Sequence, residues 1–417
     1  METIFYPKGT PAIFYPRGTP AISCPRGTPA IVVGGGAIGL GIAWRLSQRG
    51  RDVLVLDRAE PGSGASYHAA GMLAPITEAT FGEDALLHLN LASAAAYPAF
   101  LRELAAATGR SLQSGAPGTL FVALDRDQLE ALERLYEFQR GLGLPVEWLR
   151  GSRCRELEPA LHPVVRAGIG AEEKEVDPRA LTAALGCAVA AAGGRVRSGA
   201  EVGGLLWTGD HVSGVVLTTG EEIAAPSVVL AAGCWSGGIA GVPKEVADAV
   251  RPVKGQILRL RPRPGEPLPI RHLLRTEEVY LVPRSSPARG DELVVGATVE
   301  EQGFDTSLTG GGVYELLRAA IEVVPGVREM ELAEASAGLR PGSRDNAPLL
   351  GPVPGPLPGP LSDGGEVPGL VVATGHHRNG ILLTPVTADA IASVVCDGTV
   401  PEAIAPFRPD RFARACC

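Results

Sequence analysis

The spacing of apolar residues changes character several times along the chain. Ala30-Ile31-Val32-Val33 is a short continuous apolar run, as expected of a strand buried on both faces of a parallel sheet. Ile38, Ile42 and Leu46 then recur every fourth position, which predicts a helix stopping at Arg49-Gly50, where Gly50 suits a left-handed cap. Val53-Leu54-Val55-Leu56 predicts a second strand, ending in Asp57. Further on, Val196–Trp207 and His211–Thr218, joined by Thr208-Gly209-Asp210, read as a β-hairpin, and Ser227–Ala232 as an apolar strand ending in Gly233. Two more strands are expected at Pro348–Leu350 and Gly369–Ala373, and a last helix at Thr384–Val395. Asp84 is placed to cap an Ala-rich helix starting at Ala85, while Leu129, Leu132, Tyr136 and Gln139 follow helical spacing with one polar intruder. Both helices are expected to be structural walls. Glu172-Glu173-Lys174-Glu175 reads as a solvated turn without chemistry.

Two stretches fit neither period. One nonapeptide is written three times, as FYPKGTPAI (Phe5–Ile13), FYPRGTPAI (Phe14–Ile22) and SCPRGTPAI (Ser23–Ile31). Its prolines block helix and central strand, so residues 1–29 are expected to form a disordered or polyproline-like tail whose last copy runs into the first strand. A basic docking arm made by Lys8, Arg17 and Arg26 is the functional alternative. Residues 352–368, rich in Pro and Gly, read as an inserted surface loop.

Composition narrows the class. A chain of 417 residues, 45% hydrophobic and 20% charged, matches a globular protein of one insertion-bearing α/β unit or two to three domains. A net charge of -8 speaks against nucleic acid or an anionic bilayer as a partner, so any anionic ligand must be held by a few placed arginines. The seven cysteines, Cys24, Cys154, Cys187, Cys234, Cys396, Cys416 and Cys417, form no CxxC pair and indicate neither a disulfide framework nor a zinc knuckle. Cys234 is expected to be a buried small hydrophobe. With no signal-peptide pattern and no long apolar run, the expectation is a cytoplasmic protein without membrane contact.

Gly34-Gly35-Gly36-Ala37-Ile38-Gly39 lies between the first strand and the first helix, and Asp57 follows eighteen residues after Gly39. Gly34 permits the tight turn, Gly36 lets the backbone approach a pyrophosphate, and Gly39 lets helix and strand pack closely. The helix start adds partial positive charge, and Asp57 can accept from a ribose diol. This complete strand–turn–helix–strand–acid unit predicts a dinucleotide site and leaves FAD or NAD open. A hairpin inserted before a strand ending Ala-Ala-Gly resembles the adenine-side region of FAD proteins with a glutathione-reductase-like fold.

From Ser63 the chain reads SGASYHAAGMLAP, and later VYLVPR (Val279–Arg284), ELVVGATVE (Glu292–Glu300), AGLRPGSRDNAPLLG (Ala337–Gly351) and ATGHHRNGILLTP (Ala373–Pro385). These resemble the glycine oxidase branch, of the thiamine-biosynthesis type, in the D-amino-acid oxidase family, over roughly Ala30 to Phe412. The resemblance implies non-covalent FAD held at its nucleotide end by Gly34, Gly36, Ala37, Ile38, Gly39, Asp57 and Arg58, with the Val202 backbone against adenine. Ala65, Ser66, Ala70, Gly71 and Met72 would follow the pyrophosphate, ribityl chain and ring. His376, His377, Arg378, Asn379, Gly380, Ile381 and Leu382 would enter the last helix beside the pyrimidine ring, where a helix start favours negative charge. Tyr67-His68 departs from the pattern, since two small residues are expected there. Arg340 is the implied carboxylate clamp, because guanidinium offers a planar two-donor fork. Tyr280 is expected to donate to the same carboxylate, and Arg378, the second family position nearest the substrate, to orient the site through backbone and flavin contacts and to contact substrate. Glu278 stands where a histidine is common and alters the rim charge. Adjacent His376 and His377 would point to opposite faces of a strand, with no third ligand at zinc-like spacing, so no metal is expected.

The implied fold is α/β: a Rossmann FAD-binding domain from 30–92, 165–246 and 337–412, roofed by an interleaved antiparallel α+β substrate domain from 93–164 and 247–336. The implied activity is oxidative deamination of glycine or a similar small amino acid. Hydride passes from Cα to flavin N5, giving imine and then glyoxylate and ammonia, and dioxygen is reduced to peroxide; no side-chain base is compulsory. For glycine the imine could feed thiazole formation. A homo-oligomer is expected. Two alternatives stand beside this: a sarcosine or D-amino-acid oxidase or dehydrogenase of the same fold, and a non-catalytic flavin-binding interaction protein.

Overall fold

A computed structural model describes residues 27–112, 115–286, 290–355 and 365–412. The first two nonapeptide copies, the first four residues of the third, and the centre of the Pro/Gly insert lie outside these residues. A six-stranded sheet runs in the order Leu349–Pro354, Glu366–Thr374, Val228–Leu230, Pro29–Val33, Asp52–Leu56, Arg195–Arg197. Its neighbours pair in parallel, except that the edge strand Leu349–Pro354 pairs antiparallel with Glu366–Thr374. The continuous apolar runs sit where both faces are covered. Helices Ala37–Gln48, Asp84–Thr108, Pro178–Ala191 and Thr384–Asp397 contribute to one large core with Ala30 and Val32, while Ile31 and Val33 belong to a second core shared with the hairpin Val202–Thr208 and His211–Leu217.

A second sheet has eight strands, in the order Glu331–Ser343, Val250–Arg261, Gly290–Gly296, Tyr280–Ser286, Leu273–Arg275, Thr119–Ala123, Ala167–Ala171, Val146–Arg150. It is antiparallel apart from one junction: Leu273–Arg275 pairs in parallel with Thr119–Ala123, where two distant stretches of sequence meet. The strand Ala167–Ala171 lies in this sheet although residues 165–246 were expected in the other layer, and Glu331–Ser343 begins before the expected boundary at 337. Helix Asp84–Thr108 likewise runs through the expected boundary at 92 and packs its buried face, Tyr97, Phe100 and Leu104 included, into the dinucleotide-side core.

Several local expectations are corrected. Asp84 does not cap its helix; the N-cap is Glu83, with no side-chain cap, and Asp84 stands in the first turn, where a carboxylate suits the helix dipole. Val196 belongs to the parallel strand Arg195–Arg197, so the hairpin starts only at Val202. Strands reach into both ends of the Pro/Gly insert, at Pro352–Pro354 and Glu366–Pro368. The acidic run 172–175 is not a solvated turn: Glu173 and Glu175 are buried, each accepting from two backbone amides.

Candidate active site

A cavity of about 870 Å³ opens between the two sheets. At one end lies the glycine turn. Gly34 has φ +106°, and a Cβ there would sit 2.4 Å from the Ala231 carbonyl oxygen, so only glycine fits. A Cβ on Gly39 would lie 1.9 Å from the Gly34 carbonyl oxygen, which is the close helix–turn packing the motif requires. Ser66 Oγ accepts from Ala37 N at 3.0 Å and Asp57 Oδ2 accepts from Gly35 N at 2.6 Å, so both pre-shape the turn. Gly34, Gly36, Ala37, Ile38, Asp57, Arg58, Ala65, Ser66, Ala70, Gly71, Met72 and Val202 all line the cavity; Gly39 does not, and acts through packing. The Arg58 guanidinium lies 3.7 Å from the Trp235 ring centroid, also on the wall. Cys234 beside it is buried and its thiol is pushed up to about 12 by desolvation.

The segment His376 to Leu382 supplies the opposite wall. It is a turn, not a strand: His377–Asn379 is a short 3-10 helix and His377 has φ +46°. His376 is buried with Nε2 3.2 Å from Thr387 Oγ1, and burial lowers its pKa to about 3. His377 faces the cavity with Nδ1 buried and unpartnered, its pKa lowered to about 4 by burial and then by Arg340, Arg378 and Arg251. The two neutral imidazoles thus serve the turn and the cavity separately, because the turn bends between them.

Strand register builds the other end. Val250–Arg261 pairs with Glu331–Ser343, setting Gly255 opposite Gly338 and Val253 opposite Arg340. Arg340 then lies over Gly255, where a Cβ would come within 2.4 Å of Nη1. Its Nη1 donates to Thr298 O at 3.0 Å and Lys254 O at 3.4 Å. Tyr280 faces Gly296 across its strand pair, and a Cβ there would meet the hydroxyl at 2.4 Å. Desolvation raises the Tyr280 pKa against the pull of Arg340, so the phenol stays protonated and can donate. Over Gly338 lies His68, with Nδ1 3.1 Å from Ser336 Oγ and a pKa lowered to about 4, chiefly by burial. Tyr67 turns away to stack under Arg179 at 3.5 Å, so of this unexpected pair only His68 reaches the cavity.

Four arginines line the cavity, and three are engaged. Arg58 stacks on Trp235; Arg275 donates to Thr77 O and lies 3.8 Å from Glu78; Arg378 pairs with Glu78 at 3.3 Å and Glu83 at 3.0 Å. Among the described residues no carboxylate pairs with Arg340. Arg378 is accordingly a strut between the last turn and residues 78–83. Sequence reasoning missed Glu78, Arg275 and His68 as cavity residues, and only His68 carried a signal, its bulk in a run of small residues.

The cavity fits FAD. Its glycine turn has no room for a Cβ at Gly34 or Gly39 and leaves Gly36 bare on the cavity wall, an acid closes the second strand, and the lining runs from that turn to Arg340. Comparison with known proteins agrees. The family model described as FAD dependent oxidoreductase, DAO, matches residues 30–394. A glycine oxidase of Geobacillus kaustophilus is 34% identical over 380 residues, covering 90% of this chain and 95% of its own. The bifunctional protein ThiO/ThiG of Trichormus variabilis is 33% identical over 92% of this chain, which spans 55% of that longer relative. The crystal structure of glycine oxidase from Geobacillus kaustophilus superposes with a TM-score of 0.79 at 33% identity, covering 92% of this chain and 98% of its own. The chain belongs to the DAO family of FAD dependent oxidoreductases and is an FAD-dependent amino-acid oxidase.

Proposed function

We propose that this chain oxidises glycine and similarly small amines to the imine, which water converts to glyoxylate and ammonia, and that dioxygen leaves as hydrogen peroxide. The observation carrying this is Arg340: a guanidinium on the cavity wall that donates to two backbone carbonyls and, among the described residues, has no carboxylate partner. A small amino acid supplies that carboxylate. Tyr280 donates a second hydrogen bond and fixes its rotation, so the Cα–H is held in one orientation.

FAD would be held at its nucleotide end by the glycine turn, Asp57 and Arg58, with Val202 at adenine, residues 65–66 and 70–72 along its length, and 376–382 at the ring. Held there, it would supply the hydride acceptor and the route for electrons to dioxygen. The six-stranded layer would form the cofactor domain and the eight-stranded layer the substrate roof. The resemblance of the motifs and the fused ThiO/ThiG relative support supply of the product to the thiazole branch of thiamine biosynthesis.

Arg340→Ala is expected to raise KM for glycine by about two orders of magnitude or more, since a charged hydrogen-bonded pair is worth about 2–4 kcal/mol. An unchanged KM in steady-state peroxide assays removes Arg340 from the clamp. Anaerobic addition of glycine should bleach the flavin band, and a flavin that stays oxidised rejects glycine as substrate.

A further inference from the structure

Residues 74–79 form an irregular turn on the cavity wall in which every residue is buried except Glu78. Three distant elements hold its backbone. Glu173, 2% exposed, accepts from Ile76 N at 2.8 Å, Thr77 N at 2.9 Å and Thr77 Oγ1 at 2.6 Å. Gln139, on the helix Arg126–Gly141, donates to Ile76 O at 2.9 Å and Ala79 O at 3.4 Å, and Arg275 donates to Thr77 O at 3.0 Å. Buried polar side chains are costly unless matched. Here they converge on one short turn, with Gln139 Oε1 left unpartnered among the described residues, and the charged group which that turn presents to the cavity is the Glu78 carboxylate.

The other carboxylates on the cavity wall, Asp57 and Glu201, belong to the nucleotide end, beside the glycine turn and Val202. Glu78 stands at the substrate end, between Arg275 and Arg378, and the Tyr280 hydroxyl feels both the Arg340 and the Glu78 charge. A zwitterion whose carboxylate sits on Arg340 carries its ammonium one carbon away, into surroundings that already hold three arginines. Without a local anion that placement is repulsive.

We propose that Glu78 anchors the amino group of the substrate, as the negative partner to Arg340 in reading a zwitterion; this rests on the carboxylate-clamp reading above. The cavity then selects amino acids over plain carboxylates through Glu78, and Arg378 and Arg275 hold that carboxylate in place.

The test compares glycine with acetate, which keeps the carboxylate and lacks the amine, on the FAD-loaded enzyme. Acetate binding is read from flavin absorbance and glycine from steady-state kinetics. Glu78→Gln is expected to raise KM for glycine about ten- to hundredfold, as for loss of a charge-assisted hydrogen bond, while Kd for acetate stays within about threefold. A glycine KM that also stays within about threefold overturns the proposal. Equal weakening of both ligands overturns it too, because Glu78 would then act only by propping Arg378. Should Glu78→Gln fail to fold, Glu78→Asp keeps the charge on a shorter arm, and its ratio of glycine KM to acetate Kd must rise; an unmoved ratio is a refutation. Acetate that fails to bind the wild-type enzyme overturns the Arg340 clamp and this proposal together, whereas intact acetate binding with unmoved glycine discrimination overturns Glu78 alone.

Discussion

Replacing Glu173 by alanine removes the acceptor of two buried amides and one buried hydroxyl, at Ile76 and Thr77. Each buried donor left unpaired costs about 1–3 kcal/mol, and the Thr77 hydroxyl can rotate to relieve part of its share, so Glu173→Ala should destabilise by about 3–6 kcal/mol. Glutamine keeps an acceptor oxygen for the amides and can donate to Thr77 Oγ1, so Glu173→Gln should stay within about 1 kcal/mol of wild type at neutral pH. The pH dependence has a definite sign. Burial pushes the Glu173 carboxyl above its ordinary 4.5, outweighing the Thr77 and Ile76 donors. The folded state therefore holds a proton that the unfolded chain has released, so the protonated group contributes fully below 4.5 and its contribution is lost as pH rises through the folded value. Glu173→Gln should remove that slope. Urea unfolding of the FAD-loaded enzyme at several pH values measures all three quantities. A loss under about 1 kcal/mol for Glu173→Ala would falsify the view that the turn is bolted by this residue.

Gly255→Ala places a methyl group 2.4–2.6 Å from the Arg340 guanidinium, which must move; KM for glycine should rise at least about tenfold with flavin content unchanged, and an unaltered KM would show that Arg340 does not bind substrate from this position. His68, His376 and His377 have pKa values lowered by burial to about 4, 3 and 4. They are neutral in the fold while the unfolded chain takes up their protons below about 6.5, so stability should fall as pH drops from there towards 4. His376→Asn should lessen that slope by about one proton in the same unfolding series, and an unchanged slope refutes the assignment.

What the sequence made legible was local. The glycine turn, Gly50 at the end of its helix and the acid at Asp57 declare themselves because their constraints lie within a few residues, and the structure shows the same close approaches. Arg340 and Tyr280 were legible only through motif resemblance, since what frees them to line the cavity is a glycine on the facing strand, at Gly255 and Gly296. Those pairings depend on register, which apolar alternation does not reveal for strands buried on both faces. The acidic run at 172–175 was misread for a related reason. A glutamate in a polar cluster looks solvated until its partners are known, and those of Glu173 lie 96 and 97 residues earlier in the chain. The same holds for Gln139, whose partners lie 60 and 63 residues away, so its polar break in a helical pattern marked a hydrogen bond to the cavity wall. Here the polar residues that seemed misplaced, His68 and Gln139, each end against the cavity or the turn that shapes it. In a chain of this fold, a polar residue out of period is therefore better evidence about the site than an arginine in a charged run, because burying it without a partner would cost more than the fold can spare.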